Sequence, residues 1–80
     1  MSTLAIEVEP LAVDVSCTDA ALHVLLADGR EISVPLTWSP RLLAATTEER
    51  MRWRLIGGGV GIHWESIDED ISVESLMRLK

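Results

Sequence analysis

The fold of this 80-residue chain is organised around the stretch Ile56-Gly57-Gly58-Gly59-Val60-Gly61-Ile62-His63-Trp64. The stretch holds four of the five glycines, one of the two histidines and one of the three tryptophans. The glycines predict a helix end and a tight turn, because glycine accepts left-handed backbone conformations. The alternation that follows, from Val60 to Trp64, predicts a short strand with His63 on its polar face.

Upstream of the glycines, three segments of period-two alternation predict an antiparallel meander from about Leu11 to Val34. A residue of one polarity at every second position places one face of each strand against the core. The predicted inward residues are Leu11, Val13, Val15 and Cys17, then Leu22, Val24 and Leu26, then Ile32 and Val34.

The register of the second hairpin can be worked out from its turn. A two-residue loop would place Leu26 opposite Glu31 and mix the two faces. A three-residue loop ending at Gly29 pairs Val24 with Ile32 and keeps both on the buried face. We therefore expect a bulge and a positive φ at Gly29.

Two helices are predicted between Pro40 and Leu55. Ser39 is a good N-cap, and proline suits the first helical position. The spacing of Thr46 and Glu49 is that of a capping box, which begins the second helix. That helix is expected to continue through Leu55 and to stop at the glycines.

The fold class predicted from these elements is α+β, in a single domain spanning residues 1–80. A small antiparallel sheet combines the three-strand meander with the later short strand near Val60–Trp64. Helices lie between strands three and four and at the C-terminus, where Ser72 is an N-cap. Residues 1–10 are predicted to be an edge strand or an extended arm.

Composition narrows the class of protein. The apolar content of 48% suffices for a small core, and an 80-residue domain is a natural candidate for homo-oligomerisation or a protein partner. A net charge of −6 argues against non-specific nucleic-acid binding. One cysteine, no visible secretory signal and no apolar run of membrane-spanning length predict a cytoplasmic protein.

Complete catalytic or metal-binding motifs are not visible in the sequence. The glycine run lacks the lysine of a phosphate-binding loop, so its structural role is preferred. The histidines, His23 and His63, are predicted on different strands and lack metal-ligand spacing. Cys17 is predicted inward and Ser39 is predicted to cap a helix, so neither suits a nucleophile. We therefore expect no enzyme activity, cofactor or metal.

Charge is distributed unevenly along the chain. Four arginines in the predicted helical region could contact nucleic acid, whereas the acidic residues that follow Trp64 could bind a basic protein. The arginines are Arg41, Arg50, Arg52 and Arg54, and the acidic residues are Glu65, Asp68, Glu69, Asp70 and Glu74.

Seven short motifs follow one another in order along the chain: residues 28–36 (DGREISVPL), Trp38, residues 40–42 (PRL), Trp53, residues 55–59 (LIGGG), residues 61–64 (GIHW) and residues 68–72 (DEDIS). Together they resemble a family of short bacterial proteins catalogued as a domain of unknown function. The resemblance covers roughly residues 11–79. It implies a small α+β fold and an antitoxin-like role beside a small toxin encoded by an adjacent gene. Some relatives carry a helix-turn-helix domain as well.

Two functional hypotheses follow. In the first, the chain is a non-enzymatic protein-binding module that binds a small basic protein, with nucleic acid bound only weakly or through that partner. The alternative is a DNA-associated regulator that acts as an oligomer through an arginine-rich helix. The predicted partner-binding residues are His63, Trp64, Glu65, Asp68, Glu69 and Asp70, with His63 and Trp64 at the rim.

Overall fold

The computed structural model describes residues 11–77, which form two three-stranded antiparallel sheets and a few short helices. This confirms the α+β class and the meander. The predicted strand or arm at residues 1–10 lies outside the described residues. The first sheet has the order β1 (Ala12–Cys17), β2 (Ala21–Leu26), β3 (Glu31–Pro35), and the second has the order β4 (Trp53–Ile56), β5 (Gly61–Trp64), β6 (Glu69–Ser72).

The hairpin between β2 and β3 has the predicted register. Val24 pairs with Ile32, Leu22 pairs with Val34, and Gly29 has a φ of 94°. The amide of Leu26 donates to the carbonyl of Arg30, closing the predicted three-residue loop. The left-handed glycine therefore sets the face on which both strands bury their apolar side chains.

The prediction that Val13 faces the core is wrong. The pairing of β1 with β2 shifts between Ala12 and Asp14, so that Val13 is an extra residue in the strand. This bulge turns Ala12 inward, where it is 2% exposed, and leaves Val13 49% exposed. Strict alternation does not anticipate such an insertion, because one additional residue changes the face of everything before it.

The second sheet corrects two predictions about the glycine stretch. The second helix does not reach Leu55, because α2 ends at Met51 and the chain continues as β4. Furthermore, β5 pairs with β4 and β6 and does not join the meander. The glycines therefore connect two strands. Pairing with β5 supplies the Trp53–Ile56 segment with backbone hydrogen bonds across the sheet, and this tertiary pairing overrides the helix propensity of Arg54 and Leu55.

The helices are short, and their caps agree with the sequence. A 3-10 turn (Leu36–Trp38) precedes α1 (Pro40–Ala44), where the Ser39 side chain accepts from the Leu42 amide. The capping box between Thr46 and Glu49 begins α2 (Thr47–Met51). A second 3-10 turn (Glu65–Ile67) precedes β6, and Ser72 caps α3 (Val73–Leu76).

One core lies between the two sheets. The Ala12 amide donates to the Gly59 carbonyl at 2.8 Å and joins the sheets along one side. Cys17 packs against this core, and burial raises the pKa of its thiol. No helix in residues 11–77 is long and apolar enough to cross a membrane. The core residues are Ala12, Val15, Leu22, Val24, Leu26, Val34, Leu36, Leu42, Ile62, Trp64, Val73 and Leu76.

Candidate functional site

A groove of about 830 Å³ is lined by residues of β3 and β6, which form one edge of the first sheet and one edge of the second. The 3-10 turn before α1 and the two flanking helices α1 and α3 complete its walls. Glu69 and Asp70 are the charged residues among the described residues that line it. The apolar side chains of the lining are Leu22, Val34, Pro35, Leu36, Trp38, Leu42, Ile71 and Leu76, and the remaining polar ones are Ser39, Ser72 and Ser75.

Two sets of polar contacts hold α1 against the second sheet beside this groove. The buried Ser39 hydroxyl donates to Glu69 Oε2 at 2.6 Å while it caps α1. Arg41 Nη1 donates to the carbonyls of Ile67 and Asp68 at 3.1 and 2.8 Å. These bonds cross 26 to 30 residues of sequence. They therefore fix the position of β6 relative to α1.

His63 lies between two carboxylates on the polar face of β5, as predicted. Its Nδ1 bonds to Asp70 and its Nε2 lies 3.2 Å from Glu65 Oε1, which also pairs with Arg54 at 3.5 Å. The hydrogen bond to Asp70 raises the pKa of His63 above its ordinary value of 6.5, with both carboxylate charges adding to the effect. Both ring nitrogens therefore have an acceptor for the N–H that the protonated imidazole carries.

The predicted acidic residues divide between two settings. Glu65 and Asp70 surround His63, whereas Glu69 is half-buried at the groove and bonded to Ser39. Asp68 is exposed and has a φ of 52° at the end of the second 3-10 turn, a conformation that aspartate tolerates. The Asp70 side chain remains 68% exposed and also lines the groove. It thus connects the two settings.

The predicted position of Trp64 at the rim is wrong. Trp64 is 0% exposed in the core, and its indole Nε1 donates to the Arg50 carbonyl at 3.1 Å. The alternation of β5 already placed it beside Ile62 on the inward face, which is why it is buried. Trp38 lines the groove and is 42% exposed, and it is not among the residues that the sequence analysis names as candidates. The sequence signal for its exposure is its position directly before Ser39, the N-cap of α1, because a residue there lies outside the helix at its end.

An arginine-rich helix is not present among residues 11–77. Arg50 is the arginine of α2, and Arg52 follows that helix as its C-cap residue. Arg41 lies in α1 and Arg54 in β4. Arg50 is itself occupied, since its guanidinium donates to the carbonyls of Leu42 and Leu43 and pairs with Asp19. The predicted helical surface for DNA therefore does not exist in this form.

The glycine run forms the turn between β4 and β5. Gly57, Gly58 and Gly59 have φ values of 61°, 71° and 114°, which confirms the expected left-handed conformation. The Gly59 amide donates to the Ile56 carbonyl at 3.1 Å. In residues 11–77, no group of three or more histidine, cysteine or acidic side chains is placed to hold a metal ion.

Comparisons with known proteins identify a family. The family described as "Protein of unknown function (DUF2442)" matches residues 12–80. The chain is also similar to a protein of unknown function from Rhodospirillum rubrum, known from a crystal structure. The two are 30% identical over 86% of each chain, with a TM-score of 0.74. A search of curated proteins gives no match. The chain belongs to the DUF2442 family of proteins of unknown function.

Proposed function

We propose that this chain is a non-enzymatic protein-binding module whose partner is a small basic protein. In this proposal it is the antitoxin-like partner of a small toxin encoded by the adjacent gene. The observation that carries the proposal is the groove between β3 and β6, which combines apolar side chains with carboxylates along one wall.

The chemistry of the groove suits a protein surface. Protein interfaces combine an apolar centre with a polar rim, and aromatic side chains are enriched at their centres. Here Trp38 and Pro35 supply exposed apolar surface, the buried Leu36 and Leu76 line the groove from the core, and Asp70 stands at the edge. In this proposal Trp38, and not the buried Trp64, is the tryptophan that contacts the partner.

The charge of the surroundings favours a basic partner. Glu65 and Asp68 are exposed beside the groove-lining pair Glu69 and Asp70, within a chain of net charge −6. Opposite charges across an interface raise the association rate, and salt suppresses the effect. Binding of a basic partner would therefore be favoured by attraction to these carboxylates and by reduced repulsion among them.

The test uses the purified product of the neighbouring reading frame. We expect the double variant Asp68→Asn, Asp70→Asn to associate at least about tenfold more slowly than the parent chain at low salt, because two carboxylates beside the groove are neutralised. Asparagine tolerates the left-handed conformation at Asp68. Association rates are measured by stopped flow at two salt concentrations.

The matched control is Glu31→Gln, Glu48→Gln, which removes the same charge at exposed residues that do not line the groove. This control should associate at nearly the parental rate. If both double variants slow equally, only net charge matters and the groove is not the binding surface. If the neighbouring product does not bind the parent chain, the proposal is wrong.

A further inference from the structure

The outer edge of β6 borders the groove, and none of the described strands in residues 11–77 pairs with that edge. The Val73 amide donates to the Val60 carbonyl, so these two residues form a hydrogen-bonded pair at the end of the β5–β6 ladder. In the same register Ile62 lies opposite Ile71, and His63 lies opposite Asp70. Because hydrogen-bonded and non-hydrogen-bonded pairs alternate in an antiparallel ladder, His63 and Asp70 form a non-hydrogen-bonded pair. The N–H and C=O of Asp70 therefore point away from β5, on a side where no strand of residues 11–77 pairs with β6.

We propose that β6 binds an extended segment of the basic partner by strand addition, with the segment lying in the groove. This inference rests on the proposed function and specifies how that partner is bound. An added strand would exchange backbone hydrogen bonds with Asp70, the mode by which many proteins bind extended peptides.

The other edge strand at the groove is less suited to this role. The Leu26 amide donates to the Arg30 carbonyl, and the Leu36 amide donates to the Ala20 carbonyl. Because hydrogen-bonded and non-hydrogen-bonded pairs alternate along β3, the backbone groups of Ser33 and Pro35 point away from β2. Pro35 lines the groove but has no N–H to donate. Proline on an edge strand also hinders strand addition. Within the groove, β6 is therefore the strand with both a donor and an acceptor.

Side-chain alternation along β6 defines the sequence that the segment should have. Ile71 is half-buried and faces the core, whereas Asp70 is exposed on the opposite face. Neighbouring strands place side chains of the same face next to each other. The segment should therefore carry an apolar residue beside Ile71 and a lysine or arginine beside Asp70, in alternation.

This pattern argues against a second copy of the chain as the occupant. Pairing of two β6 edges would bring the carboxylates of one β6 strand next to those of the other. Each of the two chains also has a net charge of −6. Like charges directly opposite each other in a sheet are destabilising. A basic segment supplies the opposite charge at the same positions.

The decisive measurement is amide hydrogen exchange by NMR on the labelled chain, alone and with the unlabelled neighbour-encoded protein. Strand addition predicts that exchange at the Asp70 amide slows at least about tenfold in the complex, because that amide gains an acceptor. The Ser33 amide, which points outward from β3 and does not line the groove, is the internal control and should not slow comparably.

The outcomes separate this inference from the proposed function. If the partner shifts the Trp38 indole signal but leaves exchange at Asp70 unchanged, the chain binds its partner and strand addition is wrong. If no signal shifts at millimolar partner, both are wrong. If the Asp70 and Ser33 amides slow equally, the effect is general stabilisation and strand addition is wrong.

A pair of variants tests the backbone contact independently. Asp70→Asn and Asp70→Pro both remove the carboxylate, but only the second removes the outward N–H. Proline is tolerated at an edge position whose N–H is outside the ladder. We expect the proline variant to bind at least about tenfold more weakly than the asparagine variant. Equal affinities of two folded variants would overturn the inference, and the exchange experiment decides if the proline variant does not fold.

Discussion

Gly59 lies at a close contact between the two sheets. A Cβ at this position would stand 2.5 Å from the Ala12 carbonyl oxygen and 3.0 Å from its nitrogen, whereas a Cβ at Gly58 would meet no atom within 4 Å. We expect Gly59→Ala to destabilise the chain by about 1–3 kcal/mol more than Gly58→Ala, because overpacking adds to backbone strain. Urea denaturation of both variants measures the difference, and equal free energies of unfolding would contradict the sheet junction.

Gly29 isolates the cost of backbone conformation. Its φ is 94° and a Cβ would find open space, so strain is the dominant effect of substitution. Gly29→Val should lower the free energy of unfolding by about 1–3 kcal/mol. Gly29→Asn should cost less, because asparagine enters left-handed conformations more readily. The prediction fails if the valine variant unfolds at the parental urea concentration.

His63 should make stability depend on pH. Its pKa in the folded chain is raised above the ordinary 6.5, chiefly by the hydrogen bond to Asp70, so folding favours the protonated form. This stabilisation is fully present below pH 6.5 and is lost as pH rises through the raised pKa.

We therefore expect the free energy of unfolding to fall above pH 6.5 in the parent chain and to fall less in His63→Gln. In Asp70→Asn, an NMR titration of the imidazole should give a lower pKa for His63. If the free energy of unfolding of His63→Gln falls with pH as steeply as that of the parent chain, another titrating group is responsible.

Single residues were predicted well where local chemistry determines them. The helix caps and the left-handed Gly29 depend on neighbours a few residues away, and each was correct. Val13 was misplaced because a bulge leaves no reliable trace in apolar alternation. Trp64 was named as a surface residue for its proximity to the acidic run, although its position in the strand indicated burial.

Among the elements, β4 shows where local reasoning failed. The capping box starts a helix correctly at Thr46, but no local signal ends it at Met51. The helix ends there because Trp53–Ile56 pairs with Gly61–Trp64. Local helix signals do not include such pairing between segments that are distant in the sequence. The acidic run likewise contains a strand, β6, because tertiary pairing with β5 overrides its low strand propensity.

The contact between α1 and β6 gives a prediction at the same scale. Ser39→Ala removes both the helix cap and the bond to Glu69, leaving the latter half-buried without that donor. The free energy of unfolding should fall by about 1–3 kcal/mol. The control Thr46→Ala removes a cap on α2 whose hydrogen bonds join Thr46 to Glu49 of the same helix, and it should cost less. If the two variants are equally destabilised, the link from α1 to β6 contributes little.

At the scale of the whole molecule, the two sheets are joined along one side and separated along the other. The hydrogen bond between Ala12 and Gly59 marks the joined side, and the groove between β3 and β6 marks the open one. The class, the meander and the positions of the helix caps were predictable from the sequence. The groove was not, because it depends on how the two sheets of residues 11–77 pack against each other.

The measurement that tests the partner-binding claim most directly is a hydrogen-exchange footprint, by mass spectrometry, of the neighbour-encoded protein on this chain. We predict slowed exchange in peptides covering residues 34–42 and 69–76, because most residues of these two segments line the groove. Peptides covering the outer face of the first sheet, where Leu25 is exposed, should exchange as in the unbound chain. Slowed exchange confined to residues 12–26 would contradict the account and assign the interface to that face.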